Sequence, residues 1–172
     1  MRLSVLLLSV FVFFPVFASS AVTEQGTFSQ EKHFKGFSKP FISTGSFELA
    51  EDGLTWQVES PVKSTLLIKQ GQVYTLNDQD EPQLQKGAEP YVNLLQAILK
   101  HDEVALAEQF TMAEHAESGC QTLLPKDNLL KQLFSQFELC VAAEQVSRVR
   151  LQEANGNFTV LRFAYPHKEQ KQ

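Results

Sequence analysis

Apolar and polar residues alternate with period 2 through most of the first half of the chain. Residues 26–34 carry Phe28, Gln30, Lys32 and Phe34 on one parity. Residues 41–49 set Phe41, Ser43, Gly45, Phe47 and Leu49 against Thr44, Ser46 and Glu48. Leu54, Trp56 and Val58 then alternate with Thr55, Gln57 and Glu59. Such alternation marks antiparallel strands with one buried face. Asp52-Gly53 predicts a tight turn between the second and third strands, and Pro61 ends the third. Residues 64–70 read as a fourth strand, with Leu66 and Ile68 on one side and Leu67 on the other. Gln70-Gly71 turns it into a fifth over residues 72–77, and the polar residues 78–82 read as a loop.

The period then changes. Pro90 suits a first helical position. Tyr91, Leu94, Leu95, Ile98 and Leu99 follow the i, i+3, i+4, i+7, i+8 rule of a helix with one apolar stripe. Lys100-His101 stand at its C-terminus, where the helix dipole favours cations. Asp102 can cap a second short helix carrying Val104, Leu106 and Phe110. Strands are predicted over residues 110–116 and 120–124. A short helix opened by Pro125-Lys126-Asp127 follows, with Leu129, Leu130, Leu133 and Phe134 on one side. Strands over residues 137–142, 147–153 and 157–165 complete the pattern, with Asn155-Gly156 as a type I′ hairpin signal. The fold class is therefore mainly β with short helices (α+β). A large antiparallel sheet curls, and striped helices cover its inner face as a lid. The apolar space so enclosed is filled either by side chains or by a greasy ligand.

The chain's start follows another rule. Arg2 is followed by a stretch from Leu3 to Phe17 interrupted only by Ser4, Ser9 and Pro15, and then by Ala18-Ser19-Ser20-Ala21. This is the layout of a secretory signal, residues 1–21, with cleavage after Ala18 or Ala21; an uncleaved anchor is the alternative. The remainder is expected to be one domain over residues 22–166 and a polar tail over residues 167–172. Export makes the two cysteines, Cys120 and Cys140, read as a disulfide, with two buried thiols as the alternative.

A net charge of −5 leaves no basic surface for phosphates and argues against nucleic acid. The sequence holds no G-x-S-x-G, H-E-x-x-H, Walker or G-x-G-x-x-G motif. His33, His101, His115 and His167 are scattered, and neither cysteine has a histidine at metal-ligand spacing. No catalytic group, metal or cofactor is expected. Aromatic residues stand out instead: Phe28, Phe47 and Trp56 fall on parities that can share one surface, as an ordinary aromatic core or as a binding wall.

The order of short motifs adds to this. Gly26-Thr27-Phe28-Ser29-Gln30 is followed by Ser43-Thr44-Gly45-Ser46-Phe47, Gly53-Leu54-Thr55-Trp56 and Pro61. Leu106 and Phe110 come next, then Leu124-Pro125-Lys126, Phe134, Val149 and Leu151. Asn155-Gly156 leads into Thr159, Leu161 and Phe163. This series, spanning most of residues 26–166, resembles the outer-membrane lipoprotein carrier (LolA-like) family. The resemblance implies an unclosed antiparallel barrel with helices in its mouth. It also implies a soluble, monomeric periplasmic protein that shields acyl chains between an inner-membrane donor and an outer-membrane acceptor. Three departures mark a divergent branch. Only residues 21–25 precede the first strand, where the family has a longer amphipathic helix. Ala50-Glu51-Asp52-Gly53 replaces the usual Arg before the Trp strand, and the Trp before the Leu-x-Pro-Lys segment is absent.

A non-enzymatic carrier of lipoprotein or other lipid acyl chains is thus the first expectation. Its contacts are assigned to Phe28, Phe47, Trp56, Val58 and Leu67 of the sheet and to Leu94, Leu95 and Ile98 of the lid helix. A lipid- or lipoprotein-sensing interaction domain on the same fold is the second. A lipid hydrolase is the third, and it would need a Ser or His–carboxylate arrangement that the sequence does not display.

Overall fold

The computed structural model describes residues 24–51, 53–87, 89–114 and 116–166, without the side chains of residues 89–93. The expected leader and tail, Asp52, His115, His167 and the Tyr91 side chain lie outside the described residues. The alternating stretches form β1 (Glu24–His33), β2 (Phe41–Leu49), β3 (Gly53–Ser60), β4 (Ser64–Lys69), β5 (Gln72–Leu76) and β6 (Pro82–Leu84). Then come α1 (Glu89–Leu99), α2 (Glu103–Gln109), β7 (Phe110–Glu114), β8 (Cys120–Pro125) and α3 (Asn128–Leu133). The chain closes with β9 (Phe134–Ala142), β10 (Gln145–Glu153) and β11 (Phe158–Ala164).

All these strands join one antiparallel sheet in the order β6-β5-β4-β3-β2-β1-β11-β10-β9-β8-β7. The first and last strands meet in its middle, with Gln30 opposite Leu161 on one side and Ser43 on the other. The edges β6 and β7 are not paired with each other, so the barrel is unclosed. Helix α1 touches both β5 and β10, which stand six places apart in strand order. In a flat sheet those strands would be roughly 29 Å apart at about 4.8 Å per step. A helix is only about 10–12 Å across. The sheet therefore curls round α1, which lies in its concavity as a lid.

Local chemistry sets the helix ends. Asp102 caps α2 by accepting from the Ala105 amide at 3.0 Å. Asp127 caps α3 by accepting from the amides of Leu129 and Leu130. At the end of α1, the His101 amide donates to the Ile98 carbonyl and the Asp102 amide to that of Ala97, with His101 in the left-handed region at φ 49°. This is the double closure of a helix C-terminus, without the usual glycine.

Three local expectations are corrected. The polar loop assigned to residues 78–82 ends in β6, a three-residue edge strand beginning at Pro82. Proline is tolerated there because an edge strand has one unpaired side. Asn155-Gly156 is not a type I′ turn: only Gly156 has positive φ, and the hairpin loop spans residues 154–157. The positive-φ pair lies instead at Ala143 and Glu144, between β9 and β10, where neither residue type announces it. Finally, β9 starts at Phe134, three residues early, because α3 stops at Leu133.

Cys120 and Cys140 stand directly opposite on β8 and β9 and form a disulfide. It closes a loop with a sequence separation of 20 that contains α3. Loop closure of this length is worth about 3 kcal/mol. The C120S/C140S double variant is expected to lose about that much in urea unfolding, with the m-value reporting any change in the unfolded state.

Candidate functional site

Two glycines set the shape of the concave face. Gly26 on β1 lies opposite Phe47 on β2, and Gly45 on β2 lies opposite Phe28 on β1. A Cβ on Gly26 would meet the Phe47 ring at 2.8 Å, and one on Gly45 would meet the Phe28 ring at 2.9 Å. Each ring thus folds across the strand gap onto the bare backbone of its neighbour. This is the physical content of the repeated Gly-x-Phe pattern. It aims both rings at Trp56, which stacks on Phe28 at 3.8 Å between centroids and on Phe47 at 6.2 Å. Phe163 meets Phe47 and Trp56 edge-on, and Tyr165 meets Phe47. The Tyr165 hydroxyl donates to the Val146 carbonyl at 3.0 Å. Burial, with the Glu24 carboxylate nearby, pushes that phenol well above its ordinary value, so it stays a neutral donor.

The aromatic residues expected to touch a ligand therefore pack on one another. Phe28 and Phe47 are buried and Trp56 is half-buried beside them. Val58 shares their face opposite Gly45. Leu67 does not join them. It pairs with Thr55, whereas Trp56 pairs with Leu66, so Leu67 points to the outer face. There it lines a shallow depression of about 490 Å³ with Tyr74, Lys69 and Pro82. A neighbouring depression of about 550 Å³ on the outer face is bordered by Thr27, Ser46 and Gln57. Both open onto the outer face of the sheet.

A space lined almost wholly by apolar side chains lies elsewhere. Between α1 and strands β9, β10 and β11 there is a cavity of about 120 Å³. Leu94, Leu95 and Ile98 form its roof, and Phe134, Phe137, Val149, Leu151, Leu161 and Phe163 its floor. The three expected helix residues thus meet here, with six sheet residues that the sequence reading did not select. Phe163 joins this pocket to the aromatic cluster, since it also packs on Trp56 at 6.2 Å. The cavity is smaller than the roughly 150 Å³ that suffices for one benzene and far below the roughly 300–1,000 Å³ of ordinary ligand pockets. As it stands it accepts a few methylene groups.

The concave face changes character toward the end of the strands where β1 finishes. Leu151 pairs with Thr159, Thr159 with Lys32, and Lys32 with Phe41. Lys32 forms an ion pair with Glu153 there. The apolar floor thus gives way to a charged rim. At its other end the roof is fastened: the Lys100 ammonium, just after α1, donates to the Glu51 carbonyl at 2.8 Å. A single exposed bond of this kind contributes about 1 kcal/mol or less.

Other chemistry is sparse. His33 faces Glu31 at 3.4 Å and stacks on Phe158, and His101 faces Glu103 at 3.8 Å. Neither ring lines the pocket. Glu117 and the sulfurs of Cys120 and Cys140 lie within 4.8 Å of one another. Those sulfurs are bonded to each other, so they do not form a ligand set. No helix among the described residues is long and apolar enough to cross a membrane.

Residues 19–172 match the family model for the outer membrane lipoprotein carrier protein LolA. The chain belongs to this family. A LolA superfamily protein from Nitrosomonas europaea is similar in structure, with 8% identity, a TM-score of 0.47, and coverage of 90% of this chain and 88% of that one. A chain of the Pseudomonas aeruginosa MucA/MucB complex is similar at 16% identity and TM-score 0.43, covering 86% and 55%. A domain from Vibrio parahaemolyticus described as a putative outer membrane lipoprotein-sorting protein is similar at 6% identity and TM-score 0.43, covering 87% and 86%. No curated protein matches the sequence.

Proposed function

We propose that this LolA family member is a non-enzymatic carrier that takes up an acyl chain between α1 and strands β9–β11, in the periplasm, after removal of residues 1–21 as a leader. The observation that carries this reading is the apolar cavity under the lid helix, roofed by Leu94, Leu95 and Ile98. Its small volume means that α1 must lift for a whole chain to enter. Exposing three aliphatic side chains costs roughly 5–9 kcal/mol at about 1.5–3 kcal/mol each. Each methylene of the guest returns about 0.8 kcal/mol, so roughly 6–11 methylenes offset the opening. A long acyl chain exceeds that by a modest margin. The resulting moderate affinity suits a carrier that must release its load to an acceptor. Lipoprotein is the cargo class that the family description names. The donor and acceptor would be membrane proteins that bind the two ends of that exchange.

Solvent extraction of the exported protein, followed by mass spectrometry, tests the reading. Acyl lipid is expected in the extract of the natural sequence. The L151F/L161F variant fills the floor of the cavity and should lose most of that lipid while staying folded, with an overpacking cost of about 1–3 kcal/mol. Equal lipid in both extracts, or none in either, contradicts the proposal.

A further inference from the structure

The hairpin tip between β1 and β2 is unlike the rest of the surface. Phe37 is 70% exposed, Phe41 64% and Ile42 57%, and Phe34 is also exposed. Phe34 meets both Phe37 and Phe41 edge-on, at 6.3 and 5.5 Å, so the rings form a small cluster that is open to water. In a chain of net charge −5, residues 32–42 contain three lysines and no acid. Lys32 is engaged by Glu153, but Lys35 and Lys39 are exposed and have no carboxylate within ion-pair reach among the described residues. The nearest strand acid, Glu31, is already paired with Arg162 at 2.6 Å. Val62 (74% exposed) and Lys63, in the turn between β3 and β4, stand at the same end of the sheet.

We propose that this tip docks the protein on an anionic phospholipid membrane, with the phenylalanine rings at the interface and Lys35 and Lys39 over the headgroups. Interleaved aromatic and basic side chains fit such a surface, which attracts lysines electrostatically and accepts apolar rings at the acyl boundary. Protein interfaces also take up aromatic rings but are depleted in lysine, so the alternation of rings with lysines fits a headgroup layer better. The net negative charge of the remaining surface turns the molecule so that this end faces the membrane. The charged rim of the lid pocket lies at the same end, two strands away through Lys32, Thr159 and Leu151. Docking therefore places that rim against the bilayer, but the docking itself rests on the tip alone and not on the carrier reading.

Vesicle flotation of the exported chain tests this, with vesicles of phosphatidylglycerol and phosphatidylethanolamine against vesicles of phosphatidylcholine. Binding to the anionic vesicles is expected to be about tenfold tighter or more, and to weaken as salt shortens the screening length from about 10 Å at 0.1 M. K35Q/K39Q should lose about tenfold or more and most of its sensitivity to salt. F37S/F41S should lose binding at every salt concentration, with circular dichroism and thermal melting confirming that it is folded. The cavity-filled L151F/L161F variant should bind vesicles like the natural sequence, which separates failure of docking from failure of cargo uptake. The proposal is overturned if the anionic vesicles are not bound, or if binding survives both tip variants. Concentration-dependent dimerisation that F37S/F41S abolishes, without vesicle binding, would overturn it in favour of a second copy of the chain.

Discussion

Gly45→Ala is expected to cost at least about 3 kcal/mol and to disrupt the pairing of β2 with β3. The new Cβ would overlap the backbone carbonyl of Gln57 and reach the Phe28 ring at 2.9 Å. Backbone cannot step aside as a flexible side chain can, and the β2–β3 register already shifts between Thr44 and Gly45. The loss propagates, because Phe28 is the ring on which Trp56 stacks. Chemical unfolding should show the lowered midpoint, and the native fluorescence of the single tryptophan should shift toward that of an exposed indole. Ser46→Ala, one residue along and facing outward beside Glu59, should stay within about 0.5 kcal/mol. Near-equal midpoints for the two variants would show that the close approach of β2 to β3 at this glycine is not what holds the aromatic cluster.

Phe137→Ala is expected to have the second large effect, about 3–5 kcal/mol. Phe137 is fully buried, contacts Phe110 and Phe134 with centroids 5.1 and 4.9 Å away, and floors the lid pocket. Its removal joins lost apolar contact to a larger cavity. The same change makes room for a guest, so an added fatty acid should recover part of the lost thermal stability by binding the folded state. A variant that is destabilised but gains nothing from fatty acid would place the guest somewhere other than under α1.

The sheet was largely legible in the sequence because its strands have one wet and one dry face. Phe28, Gly45, Phe47, Leu54, Trp56 and Ile68 could be placed on the dry side from parity alone, and parity also put Leu67 on the opposite side from Leu66. As a ligand contact, Leu67 conflicts with that alternation. The rest was hidden for physical reasons. Which strands lie under α1 depends on β1 pairing with β11, a contact between the two ends of the chain that no local pattern encodes. Phe137, Val149, Leu151 and Leu161 are therefore strand residues without an assigned neighbour, and Phe134 reads as part of the helix before them. Whether Trp56 walls a cavity or fills one depends on side-chain packing, and here its ring is stacked on Phe28. The turn at Ala143-Glu144 lacks the glycine or asparagine that normally marks positive φ. The aromatic tip was concealed by its own alternation, since Phe34 and Phe41 continue the dry parity past the point where the sheet ends.

Trp56 offers the most direct test that an acyl chain enters beneath α1. It is the chain's single tryptophan and lies one ring away from the pocket, through Phe163. Titration with a brominated fatty acid, whose heavy atoms quench indole at short range, is predicted to dim its fluorescence saturably. The unbrominated acid should compete, and L151F/L161F should abolish the effect. Undiminished emission up to the concentration at which the fatty acid forms micelles would contradict the account.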